Sequence, residues 1–372
     1  KKLGNSQDDI MAASGTSFAA SLPGRHIDIA GEGQYLYFSG TAYLGISSNP
    51  EFLDALKVGI GRYGSHFGGS RRSNIQFDVI MEAEEVLAAM AGVEKVLTLS
   101  SGSLAGQMVS HYFEQRGRLA LAPGTHPALW TPSNRPLSGD FDAWVKLLPS
   151  MMEGAQAPQA LFLNSIDPLY ARQYDLSWLD TFLDSWPEIQ IIIDDSHGWG
   201  ILGEHGRSVW ELIPVRHRSK ILVVSSLGKA FGMPGGMISG SSEMLTPIYN
   251  SPFFGGASPM SLPYFYAFLR CQNLFSQERE TLRRLLASME NVPLVQQFFT
   301  QIKQHPVFYA QEAGLAAYLY KQKILISSFS YPGPSDPLVN RVVVNSLHKP
   351  EDLALLFEVL EAYITTCQTN FR

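Results

Sequence analysis

Short apolar runs alternate with longer amphipathic stretches through the middle of the chain. From Val93 onward, several runs rich in Ile, Val and Leu have the length of strands, and some are apolar at both alternating positions, as strands buried on both faces are. Their ranges are 95–99, 118–122, 159–163, 189–193, 221–225 and 236–240. Residues 77–91 and 103–113 carry apolar side chains three and four residues apart, which predicts helices. The alternation predicts an α/β fold, a mostly parallel sheet with helices on each side.

The pattern changes after Pro259 and predicts a second, smaller unit. Residues 260–301 predict a long helical stretch. Three strands and a helix are predicted after it, at 307–310, 323–327, 341–345 and 350–363. We expect a large domain over residues 46–260, and a small α+β domain in which the N-terminal segment 1–45 joins residues 261–372.

Composition excludes several classes of function. The 372 residues carry 28 basic and 34 acidic side chains, mixed along the chain for a net charge of -6, so no basic stripe is offered to nucleic acid. Neither Cys271 nor Cys367 has a partner at metal-ligand spacing, and no metal site is expected. The apolar runs are far shorter than the roughly 20 residues of a membrane helix. Residues 1–20 lack the pattern of a secretory signal, and we expect a cytoplasmic protein without a membrane partner.

An acidic pair follows the predicted strand 189–193. Asp194 and Asp195 fall where ligands of open α/β sheets bind, outside the carboxyl ends of the strands. A carboxylate at this place can meet a cationic ring nitrogen. An Asp at a strand end can equally cap the next helix or bind magnesium, so the motif alone is ambiguous.

A lysine follows the predicted strand 221–225 in the same way. Lys229 lies among small and apolar neighbours in the segment 225–232, and an amine must be desolvated and held near a carbonyl to form an imine. A surface lysine after a strand is the alternative. The glycine pattern of a nucleotide-binding P-loop is missing.

A third segment, 99–105, passes from a strand through small residues into an amphipathic helix. The backbone amides of Gly102 and Ser103 at such a helix start can bind phosphate, although a Ser-Gly-Ser turn can also be a simple cap. The three segments follow one another as phosphate site, acidic strand end and lysine. A cofactor with a phosphate, a basic ring nitrogen and an aldehyde needs these three partners.

The chain resembles fold type I pyridoxal-phosphate enzymes of the class I/II aminotransferase superfamily, and within them the α-oxoamine synthases. That family includes 7-keto-8-aminopelargonate synthase, 2-amino-3-ketobutyrate CoA ligase and serine palmitoyltransferase. The resemblance spans about residues 25–363, and its motifs are 38–45, Tyr63 with Gly64, 68–71, Ser101 with Gly102, His126, Asp194 with His197, 203–207, 228–232, and Arg341 with His348. It implies the aspartate aminotransferase-like fold, with pyridoxal 5'-phosphate as cofactor.

The resemblance also implies roles for single residues. Lys229 would hold the cofactor as a Schiff base and later move the α-proton, while Asp194 would keep the pyridine nitrogen protonated. His126 would stack on the cofactor ring. His197 would approach the cofactor's phenolic oxygen and the incoming acyl group, and Ser165 would contact the same oxygen.

Phosphate and carboxylate contacts complete the expected site. Gly102 and Ser103 would bind the phosphate through their amides, and Ser226 through its hydroxyl. Arg341 would hold the amino acid's carboxylate, a task that suits its planar fork; an ordinary salt bridge within a strand is the alternative.

The chain departs from the family pattern at three places near the site. The turn 70–74 lacks the family's usual glycine-threonine pair. Thr41 and Ala42 stand where the family commonly has asparagine, so a substrate-side hydrogen bond is missing. Glycines and an alanine fill positions near which the family offers a Ser or Thr to the neighbouring subunit's phosphate, and Ser258 is the candidate substitute.

The resemblance implies an enzyme that condenses an amino acid with an acyl-CoA, with loss of CO2, to give an α-amino ketone. A homodimer is expected, because active sites of the family lie between subunits. An aminotransferase acting on an amino acid and a keto acid is the alternative. A catalytically silent partner subunit is a further one, but the presence of Lys229, Asp194, His197 and Arg341 together argues against it.

Overall fold

The computed structural model describes residues 19–331, 333, 336 and 338–370. The strands are β1 (His26–Ile29), β2 (Gly33–Phe38), β3 (Lys95–Leu99), β4 (Leu119–Leu121), β5 (Ala160–Asn164), β6 (Ile166–Asp167), β7 (Arg172–Gln173), β8 (Gln190–Asp194), β9 (Ile221–Ser226), β10 (Gly236–Gly240), β11 (Thr300–Gln301), β12 (Val307–Ala310), β13 (Ile324–Ser330) and β14 (Leu338–Val343). The α-helices are α1 (Pro50–Tyr63), α2 (Asp78–Ala91), α3 (Gly102–Glu114), α4 (Phe141–Glu153), α5 (Trp178–Ser185), α6 (Val209–Leu212), α7 (Ser242–Tyr249), α8 (Pro252–Gly256), α9 (Leu262–Arg270), α10 (Gln272–Glu290), α11 (Pro293–Phe298), α12 (Leu315–Lys321) and α13 (Pro350–Asn370).

The first sheet has the strand order β3-β10-β9-β8-β5-β4. Strands β4, β5, β8 and β9 pair in parallel, and β10 runs against both of its neighbours, β9 and β3. The prediction of an α/β fold with a mostly parallel sheet is confirmed. Each of the six strands predicted from the apolar runs is present, with bounds that differ from the prediction by at most one residue at each end.

Both faces of the first sheet are covered. Successive residues of β8 enter two different apolar clusters, because side chains alternate across a strand: Ile191 and Ile193 belong to one cluster and Ile192 to the other. Helix α3 packs against β9 and β10, and α2 packs against β3. The unbroken apolar run Ile191 to Ile193 inside β8 thus has a direct cause, since neither face of this part of the strand meets water.

The second sheet joins both ends of the chain, in the order β1-β2-β13-β14-β12-β11. Strand β13 pairs in parallel with β2, and a bidentate ion pair at 2.7 Å connects Arg25 to Asp352 near the start of α13. Of the predicted segment 1–45, residues 1–18 lie outside the described residues. Helix α9 packs on α1 and α2. The domain boundaries at 45 and 260 stay a prediction.

Two secondary-structure expectations for the C-terminal region were wrong. The stretch 260–301 contains three helices and strand β11 in place of one long helix. Helix α9 ends at Arg270, because the backbone of Cys271 leaves the helical region, and Pro293 begins α11. Helix α12 also intervenes between β12 and β13. Its seven residues are too short for apolar periodicity to reveal it.

Among the described residues, no helix is both long and apolar enough to cross a membrane.

Candidate active site

The carboxyl ends of three parallel strands meet at one edge of the first sheet. Asn164 at the end of β5 lies opposite Asp194 at the end of β8, and Asp194 lies opposite Val224 in β9. The loops that follow are joined, since the Ser226 amide donates to the Ser196 hydroxyl oxygen at 2.9 Å. This edge is where open α/β sheets bind ligands, and it carries both chemical motifs of the sequence.

Lys229 lies in the tight loop that follows β9. Burial lowers the pKa of its amine to about 8, against the raising effect of the Asp194 carboxylate, while the Arg341 charge lowers it further. The loop packs against the segment between β2 and α1: Gly232 has a φ of +62°, and a Cβ there would lie 2.7 Å from the Ser47 amide nitrogen. A half-buried amine with a lowered pKa is a nucleophile near neutral pH, which a solvated surface lysine is not.

Asp194 is buried and keeps one oxygen available. Its Oδ1 accepts from the Ser196 amide at 2.9 Å, and its Oδ2 lies 4.0 Å from Nδ1 of His126. The His126 ring is oriented by the backbone two residues further along, because its Nδ1 accepts from the Ala128 amide at 3.1 Å. Burial lowers the pKa of His126, so the ring is a neutral plane beside the carboxylate. A small cavity lies here, lined by Asp194, His126 and His197.

The start of α3 offers two amides. Ser101 caps the helix: its Oγ accepts from the Leu104 amide at 3.1 Å, and its carbonyl oxygen accepts from the Ala105 amide. The amides of Gly102 and Ser103 then have no acceptor among the described residues. A Cβ on Gly102 would lie 2.8 Å from the Cβ of Ser226, so only glycine lets the helix start approach the lysine loop this closely.

Ser226 faces the same place from the end of β9. Its Oγ accepts from the Gly228 amide at 3.2 Å, and its hydroxyl proton is donated to no described acceptor. The structure therefore brings Gly102, Ser103 and Ser226 together as a possible anion site at a helix N-terminus.

Ser165 lines the small cavity, but its hydroxyl proton is used elsewhere. Its Oγ donates to Asp195 Oδ1 at 2.6 Å, and Ser208 donates to the same oxygen at 2.8 Å. Burial raises the pKa of Asp195 to about 7, and its three donors, the two hydroxyls and the Val209 amide, oppose that rise. The second aspartate of the pair is thus directed away from the cavity. Because the Ser165 hydroxyl donates to it, that hydroxyl has no proton left to donate into the cavity.

Arg341 lies in the middle of β14 without a carboxylate partner. Its Nη1 donates to the Pro168 carbonyl at 2.8 Å and its guanidinium lies 4.9 Å from the centre of the Phe329 ring. Its Nε is buried and has no acceptor, and no ion pair to Arg341 exists within the described part of the chain. Arg341 therefore does not form the ordinary salt bridge within a strand that was the alternative. One edge of the planar fork remains to bind a carboxylate.

The remaining motif residues and departures from the family pattern lie at three different places. His348 is buried, accepts from the Asn345 amide, lies 3.1 Å from the Tyr37 carbonyl oxygen and stacks on Phe38, so its role is to hold the fold. Thr41 and Ala42 line a cavity of about 160 Å³ together with Gly228, the residue before the lysine. Ser258 is exposed.

His197 has partners that the sequence did not reveal. The Tyr43 hydroxyl lies 2.8 Å from its Nδ1, and the His305 ring lies 3.1 Å from its carbonyl oxygen. Tyr43 was visible only as part of a motif, without a role. His305 stands alone in the sequence, so no pattern could have singled it out.

These side chains together can do three things. The amides of Gly102 and Ser103 with Ser226 can hold a phosphate, Asp194 can pair with a protonated ring nitrogen, and Lys229 can bond to an aldehyde. The residues therefore fit pyridoxal 5'-phosphate. Within the described ranges no group of three or more His, Cys, Asp or Glu side chains could hold a metal ion.

Known proteins resemble the chain over most of its length. The 8-amino-7-oxononanoate synthases of Thioalkalivibrio sulfidiphilus and Thermosipho melanesiensis are each 26% identical to it, covering 88% and 86% of this chain and 88% and 85% of their own. A serine palmitoyltransferase from S. paucimobilis, solved with bound pyridoxal phosphate and myriocin, superimposes with a TM-score of 0.79 at 16% identity, over 95% of this chain and 94% of the other.

Francisella tularensis 8-amino-7-oxononanoate synthase superimposes with a TM-score of 0.69 at 18% identity, over 89% of this chain and 98% of the other. The two solved structures confirm the predicted fold of pyridoxal-phosphate transferases. The family model that matches, over residues 132–360, is described as aminotransferase class I and II. The chain therefore belongs to the aminotransferase class I and II family.

Proposed function

We propose that this protein is a pyridoxal-phosphate-dependent acyltransferase that joins an amino acid to an acyl-CoA, with loss of CO2, to give an α-amino ketone. The observation that carries the proposal is the arrangement of Lys229, Asp194 and Arg341. A lysine of lowered pKa and a buried carboxylate share one edge of the first sheet, and a buried arginine without a carboxylate partner acts electrostatically on that lysine from the second sheet. That arrangement suits a substrate with an amine and a carboxylate.

Pyridoxal 5'-phosphate, when bound, supplies an aldehyde for the substrate amine and a ring that withdraws electrons from the α-carbon. Lys229 would hold the cofactor between turnovers and move the α-proton. Asp194 would hold the proton on the ring nitrogen. The Gly102 and Ser103 amides with the Ser226 hydroxyl would bind the phosphate, and His126 would cover the ring as a neutral plane.

Arg341 would bind the amino acid and His197 would bind the acyl group of the second substrate. The unpaired edge of the Arg341 guanidinium would bind the amino acid's carboxylate and orient its α-carbon. His197 would donate a hydrogen bond to the acyl carbonyl while the new carbon–carbon bond forms and the CoA thiolate leaves. The carboxylate of the adduct would then leave as CO2. The acyl-transfer choice is supported by the names of the relatives, 8-amino-7-oxononanoate synthases, which match at 26% identity.

The test is product formation from substrate pairs. Purified protein is incubated with single amino acids, with acyl-CoA thioesters, and with both, and CO2 release, free CoA and ketone are measured. The proposal expects all three products only when both substrates are present. Conversion of the cofactor to its pyridoxamine form by amino acid alone would make this an aminotransferase. A protein that binds no pyridoxal phosphate would be a silent subunit.

The pKa of Lys229 predicts how cofactor capture depends on pH. With a pKa of about 8, about one tenth of the amine is neutral at pH 7, and only the neutral amine attacks an aldehyde. When pyridoxal phosphate is added to cofactor-free protein, the rate at which the Lys229 amine forms its Schiff base should rise about tenfold from pH 6 to pH 7 and level off above pH 8. The rate is followed by absorbance. A rise that continues to pH 10 would mean a solvated lysine.

Arg341→Lys should raise KM for the amino acid. Lysine keeps the charge and loses the fork, and a charge-assisted hydrogen bond contributes about 1.5–3 kcal/mol, so KM should rise about ten- to a hundredfold. The KM for acyl-CoA should stay nearly constant. Arg284→Lys, at an exposed position of α10, is the matched control. Equal KM values in Arg341→Lys and wild type would remove Arg341 from carboxylate binding.

The proposal includes a homodimer and a cytoplasmic location. Apolar side chains are exposed on and near α1 and α2, among them Val58 at 57%, Ile75 at 59% and Met81 at 49%. Exposed apolar surface of this kind is typical of subunit contacts. Sedimentation of the purified protein tests the dimer, and a monomer at micromolar concentration would contradict it.

A further inference from the structure

The ring of His197 is held by a buried tyrosine from outside the first sheet. Tyr43 follows β2 and has no solvent exposure, and its hydroxyl lies 2.8 Å from Nδ1 of His197. No other hydrogen bond of the Tyr43 hydroxyl exists among the described residues. A buried hydroxyl must be satisfied, so this contact is the one that keeps Tyr43 in place.

The direction of this hydrogen bond follows from protonation. Burial raises the pKa of Tyr43 above its ordinary value, so the phenol keeps its proton. Burial lowers the pKa of His197 well below its ordinary value, and the charges of Lys229 and Arg341 lower it further, so the imidazole is neutral. A neutral imidazole carries one proton. If Nδ1 held it and donated to the phenol oxygen, the buried phenol proton would have no acceptor among the described residues, so the phenol donates and Nδ1 accepts. The His197 proton is therefore on Nε2.

A second contact holds the backbone of the same residue. His305, two residues before β12, is buried and its Nε2 lies 3.1 Å from the His197 carbonyl oxygen, which can only accept. Burial lowers the pKa of His305 to about 4, so it is a neutral donor through Nε2. The His305 ring also meets the Tyr43 ring edge-on, with 5.8 Å between centroids. Ring and backbone of His197 are thus held from two segments that flank the second sheet.

We propose that Tyr43 and His305 are positioning residues that hold His197 in one tautomer, with Nε2–H as its single donor toward the cavity shared with Asp194 and His126. His197 lines that cavity. Residues of the first sheet place His197 there, and residues beside the second sheet decide which nitrogen carries the proton. This inference rests on the proposed function for its catalytic meaning, because the donor is needed where an acyl carbonyl would bind.

Tyr43→Phe tests the tautomer directly. Phenylalanine fills the same buried space and removes only the hydroxyl, while Tyr112→Phe, in α3 and lining a different cavity, is the matched control. Histidine labelled with the heavy nitrogen isotope is read by NMR in the cofactor-loaded enzyme, and His197→Gln assigns the signal. Wild type and Tyr112→Phe should show unprotonated Nδ1 and protonated Nε2. Tyr43→Phe should show a mixture of both tautomers. An unchanged spectrum in Tyr43→Phe would overturn the proposal.

Kinetics separate this inference from the proposed function. Tyr43→Phe should lower kcat about tenfold or more with little change in KM for the amino acid, because a catalytic group that is no longer held in the reactive geometry loses rate. His305→Gln, which keeps an N–H donor, should retain more activity than His305→Leu. If no acyl-CoA is consumed even by wild type, the proposed function fails while the NMR result still decides the tautomer. A wild-type kcat in Tyr43→Phe would overturn the positioning role.

Discussion

Lys229→Ala gives a folded protein that binds pyridoxal phosphate without a covalent bond and has lost at least about a thousandfold in activity. The reason is that one amine both holds the cofactor and moves the α-proton, and positioned acid–base catalysis alone contributes about 100- to 10,000-fold. Borohydride reduces the Schiff base of the wild type and fixes the cofactor to the chain. In Lys229→Ala, no cofactor should remain attached after reduction, as mass spectrometry can show.

The fold should survive this change, so loss of activity can be assigned to chemistry. The Lys229 amine makes no hydrogen bond or ion pair with the described residues, and burial lowers its pKa, so the charged form is disfavoured where it lies. The melting temperature should fall little or rise. Lys220→Ala, at the other end of β9, is the matched control and should keep the covalent cofactor. Cofactor still attached after reduction of Lys229→Ala would mean that another lysine forms the bond.

Asp194→Asn lowers kcat about a hundredfold or more, while the protein keeps its shape. Asparagine can still accept from the Ser196 amide through its side-chain oxygen, but it removes the charge that would hold a proton on the cofactor's ring nitrogen. Loss of one fixed electrostatic partner in an active site typically costs about 100- to 1,000-fold in rate. Exchange of the amino acid's α-proton with solvent should slow to the same degree, which NMR measures without acyl-CoA.

Asp194→Ala should lose activity and also retain cofactor poorly. Comparison of the two substitutions separates charge from shape, because alanine removes the hydrogen bond to the Ser196 amide as well. Asp175→Asn, at an exposed position, is the control and should match wild type. Normal α-proton exchange in Asp194→Asn would exclude Asp194 as the partner of the ring nitrogen.

The first sheet could be predicted from the sequence because its central strands contain runs of consecutive apolar residues. Residues such as Ile191 to Ile193 are buried on both faces, and this gives an unbroken apolar run that a solvated strand does not have. Polar residues that directly follow such runs, Asp194 and the loop with Lys229, therefore had to lie at one edge. Runs of apolar residues predicted neither α12 nor the points within 260–301 where one helix ends and the next begins. These depend on local capping and on contacts with distant segments.

The small cluster around His197 shows what local pattern cannot predict. Tyr43 and His305 are 154 and 108 residues away from His197 in sequence. Neither residue type predicts a partner, because each could be satisfied by water or by its own backbone. Ser165 shows the converse: it does line the cavity, but its proton goes to Asp195, which the sequence offered only as the neighbour of Asp194.

The sequence by itself determined the α/β fold, the carboxylate at the end of one strand and the lysine in the loop after its neighbour, and the helix start with two unused amides. Each of these depends on order along a strand or across one turn, which residue spacing records. Only the tertiary structure decided that Arg341 has no carboxylate partner, that the Ser165 hydroxyl donates to Asp195, and that Tyr43 and His305 hold His197. Those facts depend on which side chains meet between segments far apart in the chain, and burial there, not spacing, decides each protonation state.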